Sequence, residues 1–163
     1  MDQFDKYVNN TIKPKYNTGK RRANNKEYVA IIEKKKKYKR LGDWAKVKEL
    51  GKLSQTLPTK DTTDPCFKRL RFTRYADDWL IGFIGSKKEA QDIKTELTLY
   101  LKQELKLVLN QEKTLITNAR YGEARFLGYD IDVMHSDAKH RNGRRTINGK
   151  IRLKVPRDKI QAK

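Results

Sequence analysis

The sequence predicts an α+β fold: an antiparallel sheet that includes a tight β-hairpin and is backed by a helix, preceded by a basic helical hairpin. Three observations predict it. RLRFTRY and WLIGFI, residues 69–75 and 79–84, are short apolar and aromatic runs separated only by Ala-Asp-Asp, the pattern of two strands joined by a tight turn. Ser86 and Glu89 have the S-x-x-E spacing of a capping box, and Ala90, Ile93, Leu97, Leu101 and Leu105 follow at helical spacing. Upstream, NKEYVAIIEKKKKYKRLGDWAKVKELGKL repeats apolar residues at threes and fours in two segments broken at Gly42-Asp43.

In chain order, residues 1–24 read as a lead-in from a preceding helix, with Phe4, Tyr7 and Val8 on one face. PKYNTGKRRANN then carries turn formers and cations. Residues 25–64 form the basic helical insertion and its loop. Tyr28, Ile31, Ile32 and Tyr38 share a face, as do Trp44, Val47 and Leu50. Gly42 is placed to end the first helix and Asp43 to cap the second. Pro58 and Pro65 punctuate the loop TLPTKDTTDPCF. Residues 65–155 hold the sheet. After the hairpin and the capped helix, LKLVLNQEKTLI reads as strand, turn and strand, and EARFLGYDIDV as a further strand with Gly128 at a close approach. RRTINGKIRLKV places Asn148-Gly149 between alternating apolar residues, a hairpin signal. Residues 156–163 read as the start of another helix.

Composition narrows the partner. Among 163 residues, 39 Lys and Arg face 20 Asp and Glu, a formal charge of +19. Self-repulsion on that scale disfavours a compact state and suits a polyanion. One cysteine, Cys66, excludes an internal disulfide and a cysteine metal cluster. The N-terminus has no signal-peptide core and no run approaches a membrane span, so a soluble, cytoplasmic protein without a membrane partner is expected. Lys34, Lys35, Lys36, Lys37 and Arg40, interleaved with tyrosines and a tryptophan, suit phosphate contact and base stacking on RNA; the same run is equally a solvated helix face.

Asp77 and Asp78 pose the chemical question. Two like charges a few ångströms apart at an effective dielectric of about 20 repel by roughly 4 kcal/mol. Asp is a common turn former, yet paired carboxylates fixed between two strands also make a rigid seat for divalent cations. Mg²⁺ takes one or two carboxylates plus substrate phosphates rather than a full protein cage, and such ions serve phosphoryl transfer by activating the attacking oxygen and stabilising the leaving one.

Tyr-Ala-Asp-Asp between two apolar strands resembles the catalytic hairpin of reverse transcriptases. FKRLRFTRYADDWLIGF resembles the fifth block of group II intron-encoded reverse transcriptases, LKLVLNQEKTLI the sixth, ARFLGYDIDV the seventh, and INGKIRLKVPRDKI the passage toward the thumb. The basic lead-in and LPTKDTTDPCFKRLRF resemble an insertion before that hairpin. The blocks stand in the family's order along almost the whole chain. The resemblance implies the C-terminal part of a palm, as a fragment of an RNA-directed DNA polymerase with associated maturase activity. It implies Mg²⁺ (or Mn²⁺) as cofactor, and template RNA, intron RNA, a DNA primer and deoxynucleoside triphosphates as partners, in a bacterial cytoplasm or an organellar matrix. It makes Asp77 the principal metal ligand and Asp78 its companion. It puts Tyr75 and Ala76 beside the primer end and the incoming nucleotide, Lys113 near the triphosphate, and Phe126, Leu127 and Gly128 along the primer strand. The alternatives are a non-catalytic RNA-binding or maturase remnant, and a reverse transcriptase of another lineage such as a retron. One departure stands out: where the family's helix ends in glycine, this chain has Lys106, which reaches a left-handed cap less readily.

Overall fold

The structure is a computed structural model that describes residues 2–134 and 149–161, and the backbone of 140–141 and 144–145. In chain order it contains α1 (Asp2–Tyr7), a π-helical stretch (Val8–Ile12), α2 (Lys13–Lys15), α3 (Lys26–Arg40), α4 (Trp44–Thr56), β1 (Arg69–Tyr75), β2 (Asp78–Ile84) and α5 (Lys87–Gln103). These are followed by β3 (Ala124–Phe126), β4 (Tyr129–Met134), β5 (His140–Arg141), β6 (Arg144–Arg145), β7 (Lys150–Lys154) and α6 (Arg157–Gln161). The chain divides into two compact units. One comprises Met1–Thr18, Lys68–His135 and Asn148–Lys163; the other comprises Gly19–Phe67 and Ser136–Ile147.

The first unit is α+β. Strands β1 and β2 pair antiparallel from Arg69↔Ile84 to Tyr75↔Asp78. Leu70, Phe72, Trp79, Ile81 and Phe83 alternate onto one face, where they meet the lead-in helix and α5. Phe4, Val8, Ile12 and Tyr16, each four residues apart, are all buried there. In a pure α-helix a four-residue step drifts by about 40°, so residues this spaced would leave the core. The π turn, in which the Lys13 N–H reaches the Val8 carbonyl, takes more residues per turn and cancels part of that drift. It directly precedes Pro14, which lacks the N–H an α-helix would use. The lead-in helix therefore runs to Lys15, beyond the expected break at Pro14.

The capping box at the start of α5 is fully formed: the Ser86 hydroxyl accepts from the Glu89 N–H at 3.2 Å, and the Glu89 carboxylate accepts from the Ser86 N–H at 3.0 Å. Ile93, Leu97 and Leu101 face the core. Full burial of a side chain such as Phe4, Leu70 or Leu97 contributes about 1.5–3 kcal/mol. Edge-to-face contact of Phe4 on Phe72, with ring centroids 5.8 Å apart, adds to it.

Several expectations are corrected in this unit, among them the single strand at EARFLGYDIDV, which is two strands, β3 and β4, paired across a tight turn. Residues 105–116 form no strand. Lys106 at φ +54° ends the helical path, and Leu105 and Leu109, four apart, pack on the core while Val108 is exposed. A half-buried strand would have alternated instead. Nor do the strands form one sheet: among the described residues, β1-β2 and β3-β4-β7 are separate. Strand β7 pairs with β4, and β6, at Arg144–Arg145, pairs with β5; residues 146–147 of the expected hairpin lie outside the described residues. The register of β7 places Arg152 opposite Asp132, where its guanidinium donates to both carboxylate oxygens, at 2.9 and 2.5 Å. Opposite charges facing across strands favour that register. Asn148 lies outside the described residues.

The second unit holds the helical hairpin. Asn25 caps α3, accepting from the Glu27 N–H at 2.9 Å, and Asp43 caps α4, accepting from the Lys46 N–H at 3.1 Å. Gly42, at φ +74°, makes the left-handed step between them. Tyr28, Ile31, Ile32, Tyr38, Val47 and Leu50 are half-buried. Trp44, expected to share a face with Val47 and Leu50, is the first residue of α4 and is 63 % exposed.

Candidate functional site

Tyr75 pairs with Asp78, so the hairpin turn consists of Ala76 and Asp77, and Asp78 opens β2. The acidic pair thus straddles turn and strand. Ala76 has φ +51°, at the first central position of the turn, where glycine is the usual occupant of a II′ hairpin. Both carboxylates are exposed. Neither has an ion-pair or hydrogen-bond partner among the described residues.

What supports the turn is a residue that sequence reasoning passed over. Arg74 has the same strand parity as Leu70 and Phe72, so it reaches the core side beside α1. Its Nε and Nη2 donate to the two oxygens of Asp5 at 2.7 Å each, and its Nη1 donates to the Ala76 carbonyl at 2.5 Å. The bond to Arg74 holds the Asp5 carboxyl below the usual carboxylate range.

A cavity of about 560 Å³ in the first unit includes Asp77, Asp78, Lys94, Lys113 and Arg125 in its lining. Lys113 sits on a loop that Asn110 organises. The Asn110 side chain accepts from the Glu112 and Lys113 N–H groups at 3.0 and 3.1 Å, while its carbonyl accepts from the Thr114 N–H at 3.0 Å. Lys94 on α5 donates to the Thr114 carbonyl at 2.5 Å and ties this loop to the helix. The Lys113 ammonium itself has no ion-pair partner among the described residues. Arg125 is already matched, by Asp130 at 3.2 Å and by Asp158 at 2.8 Å.

Of the other expected site residues, Tyr75 is 68 % exposed at the rim of the hairpin. Phe126, Leu127 and Gly128 belong to a second tight turn, closed by the pair Phe126↔Tyr129. Leu127 and Gly128 have φ +51° and +76°, the signs a type I′ turn requires. A Cβ on Gly128 would meet only the movable Lys159 Nζ, at 2.7 Å, so it is the positive φ that calls for glycine here. These three residues do not line the cavity, although their neighbours Ala124 and Arg125 do.

The lysine run lies on α3 in the second unit and does not form one face. Lys35 is half-buried, its Nζ 3.5 Å from where a Cβ on Gly51 would stand. Lys36 pairs with Glu33 at 2.7 Å. Lys34, Lys37 and Arg40 are exposed.

No family model matches the sequence. Curated proteins do. Group II intron-encoded protein LtrA of Lactococcus lactis subsp. cremoris is 39 % identical over 109 residues, 64 % of this chain and 18 % of LtrA. The chain is a homologue of group II intron-encoded proteins. A second relative, the putative COX1/OXI3 intron 2 protein of Saccharomyces cerevisiae, is 33 % identical over 135 residues, 82 % of this chain and 15 % of that protein. The putative COX1/OXI3 intron 1 protein of the same yeast is 42 % identical over 76 residues, 47 % of this chain and 9 % of its own length. This intron-protein homologue therefore spans less than a fifth of the length of the relatives it matches. No described helix is long and apolar enough to cross a membrane.

The donor set bears on a metal. No group of three or more His, Cys, Asp or Glu able to hold an ion occurs among the described residues. Asp77 and Asp78 offer two uncommitted carboxylates, which is a partial seat. That suits Mg²⁺, which retains several waters and takes few protein ligands.

Proposed function

We propose that this chain is the palm-bearing segment of an RNA-directed DNA polymerase of the group II intron type, with Asp77 and Asp78 in the catalytic seat. The observation that carries the reading is an uncommitted carboxylate pair at a braced hairpin, Asp77 in its turn and Asp78 at the start of β2, lining one cavity with the unpaired Lys113, in a homologue of intron-encoded proteins. Asp77 and Asp78 would hold Mg²⁺ or Mn²⁺, which when bound supplies charge neutralisation at the attacking and leaving oxygens. The primer 3′ oxygen bonds to the α-phosphorus of a deoxynucleoside triphosphate, the bond to pyrophosphate breaks, and the hydroxyl proton departs to solvent. Lys113, which lines the same cavity, would donate a proton from its ammonium to the departing pyrophosphate. Tyr75 and Ala76 border the primer end. Phe126, Leu127 and Gly128 lie along the primer strand.

Primer extension on an RNA template by the intact polymerase carrying this segment tests the reading. Asp77→Asn is expected to abolish synthesis and Asp78→Asn to be less damaging. Wild-type rates in Asp77→Asn would remove the catalytic role. The 163-residue chain alone is expected to be inactive, because two aspartates bind Mg²⁺ weakly and the positioning of template, primer and triphosphate, about 7–11 kcal/mol, is largely lost.

The second unit favours a companion role. The exposed Lys34, Lys37 and Arg40, with the net charge of +19, suit intron RNA through phosphate contacts. That role stands with the polymerase, or alone as the non-catalytic RNA-binding alternative.

A further inference from the structure

Ala76 adopts a left-handed φ of +51° without being glycine. A residue with a Cβ stays in that region only where its surroundings hold it there. The aspartates beside it contribute nothing to this, since neither carboxylate is engaged among the described residues. Among the described residues, the one side chain bonded to the turn backbone is Arg74, whose Nη1 donates to the Ala76 carbonyl. Its other two nitrogens, Nε and Nη2, donate to Asp5 at 2.7 Å each. Asp5 is itself fixed, because its neighbour on α1, Phe4, is buried in the core.

We propose that Arg74, clamped by Asp5, is the positioning residue that fixes the Ala76–Asp77 turn and thereby presents the two carboxylates to a divalent cation. The cation half of this inference rests on the polymerase reading; the turn half does not. Asp5 has a double effect. It holds the planar guanidinium in the one orientation that reaches Ala76. It also keeps that guanidinium from Asp77, which lies within electrostatic reach of Arg74 and would otherwise be the nearest uncommitted anion. A lysine could not substitute: an ammonium is a point charge and lacks the rigid fork that spans a carboxylate and a carbonyl at once.

Backbone ¹⁵N relaxation and Mn²⁺ line broadening on the full 163-residue chain test this. Arg74→Lys keeps the charge, so any change in Mn²⁺ affinity reports geometry rather than net field. In the wild type, Ala76 and Asp77 are expected to be as ordered as the strands, with order parameters of about 0.85, and Arg74→Lys to lower them below about 0.6. Phe72 and Ile81, in the same hairpin, should stay unchanged and verify that it is folded. Mn²⁺ should bind Arg74→Lys roughly 3- to 10-fold more weakly, about 0.7–1.4 kcal/mol. Asp5→Asn, which frees the guanidinium to pair with Asp77, should weaken Mn²⁺ binding by a similar factor. An ordered turn in Arg74→Lys overturns the proposal, and so does a loosened turn with wild-type Mn²⁺ affinity. If the wild type shows no broadening at Asp77 and Asp78, the metal seat of the polymerase reading fails, while the order parameters still decide whether Arg74 fixes the turn.

Discussion

Replacing Lys106 by glycine should stabilise the protein, although it removes a side chain that makes a hydrogen bond. Lys106 follows α5 with φ +54°, the left-handed step after a helix that glycine makes at little cost. Holding an L-residue there costs roughly 1–2 kcal/mol. Against that relief stand two losses. Glycine gives the unfolded chain more freedom, about 0.4–1 kcal/mol. The Lys106 Nζ also donates to the Gln103 carbonyl at 2.8 Å, an exposed bond contributing about 0.5 kcal/mol or less. The net gain is about 0.5 kcal/mol. Because the difference is small, the informative comparison is Lys106→Ala, which loses the bond and keeps the strain; it should be destabilising by up to about 0.5 kcal/mol. The two variants are expected to differ in sign in urea unfolding, with an unchanged denaturant slope. If alanine is as stable as glycine at this position, the left-handed strain is not there and the reasoning fails.

RNA binding by the second unit should fall by several decades of affinity between 50 and 200 mM salt if about six to ten phosphates are contacted. Neutralising Lys34, Lys37 and Arg40 should reduce the salt slope by about 2–3, whereas Lys35→Gln, packed over Gly51, should change it least; an unchanged slope in the triple variant would reduce the run to a solvated face. The Glu89 carboxyl is held down to about 2, first by Lys68 and then by the Ser86 N–H. A depressed carboxylate contributes stability above its unfolded value of about 4.3, and that contribution disappears as pH falls through about 2. Glu89→Gln should therefore cost about 1–2 kcal/mol at pH 7 and almost nothing at pH 2, and an equal loss at both would sink the ion-pair account. Asp5 is lowered by Arg74 in the same sense, so acid should release the Ala76 turn while leaving the Lys113 loop ordered. Amide spectra collected from pH 5 to pH 2 would detect the opposite order.

The parts of the fold that were legible in the sequence are those specified within a few residues. The β1–β2 hairpin follows from two-residue alternation, α5 from Ser86 and Glu89 three apart, and the helical hairpin from Gly42-Asp43. Parts fixed at a distance were not legible. Arg74 reads as one more cation in a basic run until Asp5, 69 residues away, is placed beside it. Residues 105–116 carry strand-like alternation, but their apolar groups divide between the core and solvent according to where α5 ends. A sharper reading of Asn110 was available. An asparagine followed by four polar or charged residues in NQEKT signals a side chain folding back on its own backbone, which competes with strand pairing. Pro14 likewise marked a defect in the lead-in helix, yet the consequence was a widened turn rather than an end.

Two stretches that line the cavity, the acidic turn as its carboxylate wall and the 110–114 loop as its Lys113 wall, are secured by different chemistry. The carboxylate wall depends on a charged brace reaching across to another helix, so it is coupled to the position of α1 and to the protonation of Asp5. The Lys113 wall depends on neutral bonds within a five-residue turn, with Lys94 as its tether to α5. A displacement of α1 would therefore alter the presentation of Asp77 and Asp78 while leaving Lys113 in place. The distance between cation and carboxylates would then change by movement of one side only. Phosphoryl transfer is sensitive to misplacements of this kind, on the order of 10²-fold in rate for about 1 Å. The lead-in helix, which contributes no side chain to the cavity, is on this reasoning the element whose packing governs the site, and its handle is Asp5.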